Sequence, residues 1–356
     1  MKKRILAVLL ATLLLPLPIL FVGCGGKETD VHVFYYTYSD TYISTVRTAL
    51  DNKLNGAGLS YQDYDAAGNQ TTQTEQIRTA ITKGAKVILV NLVNTGSDDA
   101  ANEIVGLAKD ANVALLFFNR EVSDAVIKSY DKCAFVGTRA VEAGILQGEM
   151  IGDYLVQNFT RLDLNGDSKI SYILFKGEEG NNEAIYRTKH AVESANQKLA
   201  AAGKSALSFY DPSNQNGYLV DQNGQWSAAA ANDYMTTALA SYNANNKNMI
   251  ELVICNNDAM AEGAISALNA AGYNKGGEGP MIPVFGVDAT EAAKALIKDG
   301  KMTGTVMQNA DGMAEALLKL TQNSLKEGGK PMDNTEGLTM DENVSKVRIA
   351  YAKYLG

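Results

Sequence analysis

Short apolar runs alternate with amphipathic stretches along most of the chain. Runs of strand length occupy residues 31–36, 86–93, 112–119, 169–177, 250–258 and 282–288. Between them, apolar positions recur at helical spacing over 41–55, 72–83, 97–110, 139–157, 183–201, 227–244, 258–271, 289–299 and 310–327. Strands that alternate with helices of this length are typical of βαβ units. The pattern therefore predicts an α/β fold with parallel sheets covered by helices on both faces.

Polar side chains follow several of the predicted strands. In open α/β sheets, ligands bind just outside the carboxyl ends of the strands. Each of these residues also has a purely structural interpretation, as a helix cap, a turn residue or one half of an exposed ion pair. Their common position, with aromatic residues nearby, favours a site for a pyranose, which needs hydrogen-bonding groups and an aromatic face. The polar residues are Asp40, Asn119, Glu183, Asn257 and Asp288, and the aromatic ones are Tyr36, Tyr38, Tyr42 and Trp226.

The composition of the chain argues against several classes of function. The 356 residues suit about two domains of ordinary size. A net charge of −8 argues against a general nucleic-acid binder. The two histidines, His32 and His190, make a histidine zinc site or histidine catalysis a poor interpretation. A glycine-rich dinucleotide motif and a nucleophile elbow are both absent from the sequence, so an enzyme is not predicted.

The amino terminus has the pattern of an export signal. MKKR is basic, residues 5–22 are apolar, and Cys24 follows a glycine. This pattern resembles a bacterial lipobox and predicts a signal peptide over 1–23, a lipidated Cys24 and a polar tether over 24–30. An uncleaved membrane anchor is the alternative. The two other cysteines, Cys133 and Cys255, lie in apolar runs and could be either paired or free.

Residues 163–171, DLNGDSKIS, contain half of a calcium loop. Asp163, Asn165 and Asp167 alternate, as oxygen ligands on a tight loop do, with the Lys169 carbonyl and the Ser171 hydroxyl completing the series, the hydroxyl directly or through water. An EF-hand would need a glutamate at the twelfth position, which is Leu174 here. The EF-hand interpretation therefore fails, and a solvated acidic turn is the alternative to a calcium site.

Nine segments resemble the periplasmic galactose/glucose-binding proteins of sugar ABC transporters. They occur in order and cover nearly all of the chain that follows the signal. They are 36–42, 90–93, 117–121, 129–138, 163–171, 175–188, 253–264, 283–289 and 304–306. The resemblance implies two Rossmann-like domains with the sugar between them and three hinge crossings near 137–138, 307–309 and 346–350. The implied lobes are 31–137 plus 309–345, and 138–308 plus 346–356.

The resemblance also implies roles for individual residues. It places Asp40, Asn119, Arg187, Asn257 and Asp288 on sugar hydroxyls and sandwiches the ring between Tyr42 and Trp226. Tyr42 stands where the family has Phe. Three further wall residues depart from the family pattern, namely Asn181 for His, Glu183 for Asp and Gln308 for Asn. The last two add a methylene, which is worth about 1–3 kcal/mol in discrimination between ligands.

The predicted function follows from the resemblance. It is an extracytoplasmic lipoprotein that binds galactose or glucose by cleft closure and delivers it to an ABC permease, as a monomer on the outer face of the cytoplasmic membrane. The resemblance adds Glu251 to the calcium ligands, so a structural calcium ion is expected. Two alternatives stay open: a sugar sensor for a chemoreceptor or sensor kinase, and binding of another hexose or a pentose.

Overall fold

The structure, a computed structural model, describes residues 29–356. The predicted signal peptide and Cys24 lie outside the described residues. The strands are β1 Val31–Tyr35, β2 Tyr61–Asp65, β3 Val87–Val90, β4 Ala114–Phe118, β5 Cys133–Gly137, β6 Ser171–Lys176, β7 Ser208–Phe209, β8 Leu219–Val220, β9 Leu252–Cys255, β10 Val284–Asp288, β11 Gly304–Gln308, β12 Lys346–Arg348 and β13 Tyr351–Tyr354. The helices are α1 Thr41–Gly56, α2 Gln70–Thr82, α3 Asp99–Asp110, α4 Asp124–Lys128, α5 Ala140–Leu162, α6 Asn182–Ala201, α7 Ala228–Ser241, α8 Asp258–Ala270, α9 Glu291–Lys298 and α10 Ala310–Ser324.

The strands form two sheets, each covered by helices on both faces. The first has the order β12-β5-β4-β3-β1-β2, and all its pairs are parallel. Helices α1 and α10 pack on one face of it, and α2, α3 and α4 pack on the other. Along β1, Val31, Val33 and Tyr35 enter the core under α1, whereas Phe34 enters the opposite core. The predicted α/β fold is confirmed.

The second sheet repeats this plan. Its order is β13-β11-β10-β9-β6-β7, with β8 also paired to β6, and the terminal strand β13 is antiparallel. Helices α5 and α6 cover one face, and α7, α8 and α9 cover the other. Cys133 and Cys255 lie in different sheets, on β5 and β9, and both are buried free thiols. Pairing between them, one of the two interpretations of the sequence, does not occur.

The chain passes between the two sheets three times, after β5, after β11 and after β12. The third passage falls between Arg348 and Tyr351, because β12 pairs in parallel with β5 of the first sheet and only β13 joins the second. Residues 346–348 therefore lie in the first sheet, whereas the predicted lobe boundary assigned them to the second half.

All nine predicted helices are present, but several strands were missed. The edge strand β2, Tyr61–Asp65, consists of two tyrosines and three polar residues and lacks an apolar run. Strands β7, β8 and β12 have two or three residues each, too short for a periodic signal. Among residues 29–356, no helix is both long enough and apolar enough to cross a membrane.

A carboxyl pair beneath α1 makes stability depend on pH. Burial, together with the neighbouring Asp51 carboxylate, raises the pKa of Asp63 to about 7, against the opposing effect of Arg47. A raised carboxyl pKa stabilises the fold at low pH, and this contribution is lost as pH rises from about 4 to about 7. We expect Asp63→Asn to show a shallower decline in melting temperature between pH 5 and pH 8 than the unmodified protein, in parallel thermal melts. Equal declines would contradict the assignment.

Candidate functional site

A cavity lies between the two sheets, at the carboxyl ends of their strands. All ten residues predicted to contact a sugar line it, and three further residues, Tyr36, Ile43 and Arg120, join them. Both halves of the molecule contribute. From the first come Tyr36, Asp40, Tyr42, Ile43, Asn119 and Arg120, and from the second come Asn181, Glu183, Arg187, Trp226, Asn257, Asp288 and Gln308. The carboxyl-end rule therefore located the cavity correctly.

Three of the predicted contacts also cap helices. The side-chain oxygens of Asp40, Asn181 and Asn257 accept hydrogen bonds from backbone N–H groups in the first turns of α1, α6 and α8, at 2.8, 3.0 and 2.9 Å. The same side chain can thus cap a helix and also contact a ligand. A cap fixes the side-chain rotamer, so these groups are held in place before any ligand arrives.

The second polar atom of each capping side chain is also engaged. Tyr36 donates its hydroxyl to Asp40 Oδ2 at 2.5 Å, Asn181 donates to Thr95 at 3.1 Å, and Asn257 donates to the Trp226 carbonyl at 3.1 Å. The Asn257 bond connects the α8 cap to the aromatic wall of the cavity. These contacts orient the carboxylate and amide groups of the site.

Arg187 is the buried cation of the cavity. Its Nη1 donates to the Asn256 carbonyl at 2.9 Å, and its Nη2 donates to Gln308 Oε1 and Tyr351 Oη at 3.1 and 3.0 Å. Burial opposes its charge, but Tyr351, Asp288 and Glu183 outweigh burial and raise the pKa of Arg187. The guanidinium is therefore a permanent donor.

Two buried carboxyl groups face this cation. Burial raises the pKa of Glu183, with Arg187 opposing, and burial raises the pKa of Asp288 well above its usual value, again with Arg187 opposing. Glu183 Oε1 accepts the Glu121 backbone N–H at 3.2 Å. A carboxyl group removed from water in this way is stabilised by any ligand that donates hydrogen bonds to it.

Several buried polar atoms of the cavity wall have no hydrogen-bond partner within the described part of the chain. They are Tyr42 Oη, Arg120 Nε, Glu183 Oε2, Arg187 Nε and Gln308 Nε2. Buried polar groups in folded proteins are nearly always paired. Donors and acceptors that remain unpaired around one cavity therefore indicate a polar ligand.

Three residues of the same wall have a strained backbone. Asn119, Trp226 and Asp288 have φ angles of 62°, 55° and 128°, in the region that residues other than glycine rarely adopt. Each such residue costs on the order of 1–3 kcal/mol, and strain of this kind is typical of functional sites. The strained backbone aims these three side chains into the cavity.

Arg120 is a charged cavity residue that the sequence analysis missed, as it missed Ile43. Its guanidinium carbon lies 4.4 Å from the centroid of the Tyr36 ring, and its Nη2 forms a charged hydrogen bond with Glu178 of the other half. The feature of the sequence that could have indicated Arg120 is its position directly after Asn119. Its ion pair with Glu178, like the bond from Asn181 to Thr95, joins the two halves across the cleft.

The loop predicted to bind calcium is held by hydrogen bonds to Glu251 and Met249. Glu251 approaches the 163–171 loop as expected, but its two oxygens accept the backbone N–H groups of Asn165 and Ser171 at 2.9 and 2.8 Å. The Asn165 side chain bonds to the backbone of Met249 through both its oxygen and its nitrogen, at 2.6 and 2.9 Å. Ser171 Oγ also donates to the Met249 carbonyl, at 2.6 Å.

The two remaining acidic residues of the loop serve the turn itself. Asp163 accepts the backbone N–H groups of Gly166, Asp167 and Ser168, and Asp167 accepts that of Lys169. Within residues 29–356, no group of three or more His, Cys, Asp or Glu side chains could hold a metal ion. Calcium needs six to eight converging oxygens. Calcium binding by Asp163, Asn165, Asp167, Lys169, Ser171 and Glu251 therefore stays a prediction from the sequence.

A buried polar cavity between two α/β halves, connected by three strand crossings, defines a solute-binding protein of the two-lobed class. Residues 31–331 match the periplasmic binding protein domain, so the chain belongs to the type I periplasmic binding protein family, whose members bind solutes and are not enzymes.

Two curated relatives are similar over most of their length. D-galactose/methyl-galactoside binding periplasmic protein MglB of Haemophilus influenzae is 34% identical, with 92% of this chain and 89% of the relative covered. A putative rhizopine-binding protein of Rhizobium meliloti is 28% identical, with 90% and 91% covered. Among solved structures, an ABC transporter solute binding protein from Clostridium phytofermentans with bound β-D-glucose has a TM-score of 0.69, 20% identity and 91% and 93% coverage. The last similarity concerns the fold alone.

Proposed function

We propose that this chain is the extracytoplasmic binding component of a sugar ABC transporter and holds one monosaccharide, galactose or glucose, in the cavity between its two halves. The observation that carries the proposal is the set of unpartnered buried polar atoms around that cavity, which contains both donors and acceptors. A relative that binds D-galactose, at 34% identity over 92% of the chain, supports the choice of sugar.

The cavity wall suits the chemistry of a hexose. A sugar hydroxyl donates one hydrogen bond and accepts two, so it needs both kinds of partner. Glu183 and Asp288 are acceptors, whereas Arg187 and the Gln308 amide are donors. Trp226 and Tyr42 offer apolar ring faces to the C–H side of a pyranose. The wall can thus satisfy a polyol that no purely apolar pocket would hold.

The electrostatics of the cavity favour tight binding. A micromolar dissociation constant requires about 8 kcal/mol. Hydrogen bonds to ionised groups are roughly twice as strong as neutral ones, and this site offers them from the buried guanidinium of Arg187. The dry surroundings of these groups strengthen each bond further.

Closure of the two lobes is proposed as the binding motion. We propose the three sheet-to-sheet passages, near Thr138, Asn309 and 349–350, as the hinges. Contacts between the halves, such as the Arg120–Glu178 pair, exist only when the cleft is shut. A ligand that touches both halves has extra affinity for the shut form and shifts the population towards it. The shut form would then deliver the sugar to the permease.

Lipid attachment at Cys24 stays a prediction from the sequence, and the proposed location is the outer face of the cytoplasmic membrane. Two acyl chains would hold the protein there, since each buried methylene contributes about 0.8 kcal/mol.

Trp226 provides a direct test, because it is the one tryptophan of the sequence and it lines the cavity. We expect galactose or glucose to give a saturable change in tryptophan emission, with the same dissociation constant by calorimetry. A titration with a sugar alcohol, which has no ring to stack, is the control. If every aldohexose and aldopentose of a panel gave neither heat nor an emission change, the proposed function would be wrong.

A further inference from the structure

Tyr42 carries a hydroxyl that the protein itself does not use. The side chain lies in the first turn of α1 and lines the cavity, with 5% of its surface exposed. Its Oη is buried and has no hydrogen-bond partner among residues 29–356. The tyrosines around it differ, because Tyr36 donates to Asp40 and Tyr351 accepts from Arg187 and Thr138. The Tyr42 hydroxyl is therefore free to serve a ligand.

The chemical state of this hydroxyl is defined by its surroundings. Burial raises the pKa of Tyr42 well above its usual value, and the nearby Asp288 acts in the same direction. The phenol is therefore neutral at any working pH and keeps its proton. It can donate one hydrogen bond in a wall that also contains the Asp288 carboxyl group.

A second unused donor belongs to the same wall. Gln308 Oε1 accepts from Arg187 Nη2 at 3.1 Å, and this bond fixes the orientation of the amide. Its Nε2 is consequently directed away from Arg187, and it is buried without a partner in the described chain. Gln308, Tyr42 and Asp288 line both the main cavity and a neighbouring recess, so the three lie side by side.

We propose that Tyr42 Oη and Gln308 Nε2 together bind one hydroxyl of the ligand, and that Tyr42 is a specificity-determining residue. A hydroxyl is the group that suits this wall, because it can accept from Tyr42 and Gln308 and donate to Asp288. A hydrogen atom in its place would leave both donors buried and unpaired, and an ammonium group could accept from neither. The inference rests on the proposed function, since it requires a polyhydroxylated ligand in this cavity.

The test is a series of monodeoxy analogues of the sugar that the protein binds best, measured by calorimetry. In the unmodified protein, we expect one analogue, which lacks the hydroxyl at this wall, to lose at least tenfold in affinity. In Tyr42→Phe, the parent sugar should bind about tenfold more weakly, and the penalty for that one analogue should become smaller, because Gln308 Nε2 still donates to the same hydroxyl. The penalties for the other analogues should stay unchanged. Tyr38→Phe, on a half-buried tyrosine outside the cavity, is the matched control and should change none of them.

A second variant keeps the test decisive. Gln308→Met removes the other donor and should reduce the penalty for the same analogue as Tyr42→Phe does. The inference is overturned if every deoxy penalty in Tyr42→Phe equals that of the unmodified protein, or if the two variants point to different hydroxyls. Failure of the proposed function gives a different result, because the unmodified protein would then bind no member of the series.

Discussion

Replacement of Asp288 by alanine is expected to weaken monosaccharide binding by about 2 kcal/mol or more, which is roughly a thirtyfold rise in the dissociation constant. Asp288 ends β10, is 5% exposed, and lies in the cavity wall near Arg187. Removal of its carboxyl group leaves sugar hydroxyls without their acceptor and takes one nearby negative group from Arg187. Calorimetry of the folded variant against the preferred sugar measures the effect.

Two variants separate the possible causes of such a loss. Asp288→Asn keeps one acceptor oxygen and should fall between the alanine variant and the unmodified protein. Asp311→Ala, on an aspartate with 73% of its side chain exposed in the first turn of α10, should bind as the unmodified protein does. If Asp288→Ala bound the sugar with unchanged affinity, the cavity would not be the binding site.

Replacement of Glu251 by alanine is expected to cost on the order of 3 kcal/mol in the free energy of unfolding. Glu251 is fully buried, and its carboxylate accepts the backbone N–H groups of Asn165 and Ser171. Each donor left buried and unpaired costs about 1–3 kcal/mol. The expected result is a large fall in the midpoint of urea unfolding with little change in sugar affinity, since Glu251 does not line the cavity.

The role of Asp167 distinguishes this arrangement from a calcium-dependent one. Asp167 is exposed and accepts a single backbone N–H, from Lys169. If hydrogen bonds alone hold the loop, we expect Asp167→Ala to cost less than about 1 kcal/mol and a chelator to leave the melting temperature of the unmodified protein unchanged. Marked stabilisation by added calcium that disappears in Asp167→Ala would show that the loop rearranges around the ion.

Prediction from the sequence agrees best with the structure where a general rule for α/β sheets applies. Ligands bind at the carboxyl ends of parallel strands, and the polar residues at the ends of predicted strands do line one cavity. Arg120 was not predicted, because nothing in the sequence pattern distinguishes an arginine that faces a cavity from one that faces solvent. The position of Arg120 depends on its hydrogen bond with Glu178, which lies 58 positions later in the sequence and contacts it across the cleft.

The bounds of β12 and the hydrogen bonds of the 163–171 loop could not be predicted from the sequence, for a similar reason. Residues 346–350 mix polar and apolar types, and pairing with β5 and β11 decides which of them joins which sheet. In the loop, the residue types suit a cation, but Met249 and Glu251, which directly precede β9, also form hydrogen bonds with its side chains and N–H groups. Spacing along the chain gives no information about such competition.

The sequence by itself predicted the fold class, the nine helices and the polar residues Asp40, Asn119, Glu183, Asn257 and Asp288, because these depend on local periodicity and on residue type at strand ends. The roles of Asn181, Arg187 and Gln308 came from the resemblance to a known family. Only the tertiary structure decided which polar atoms already have partners. Asp40, Asn181 and Asn257 are engaged by helix caps, whereas Tyr42 and Gln308 keep unused donors. The physical reason is that a hydrogen bond is satisfied by whatever group lies about 3 Å away, and that neighbour is set by packing between distant segments.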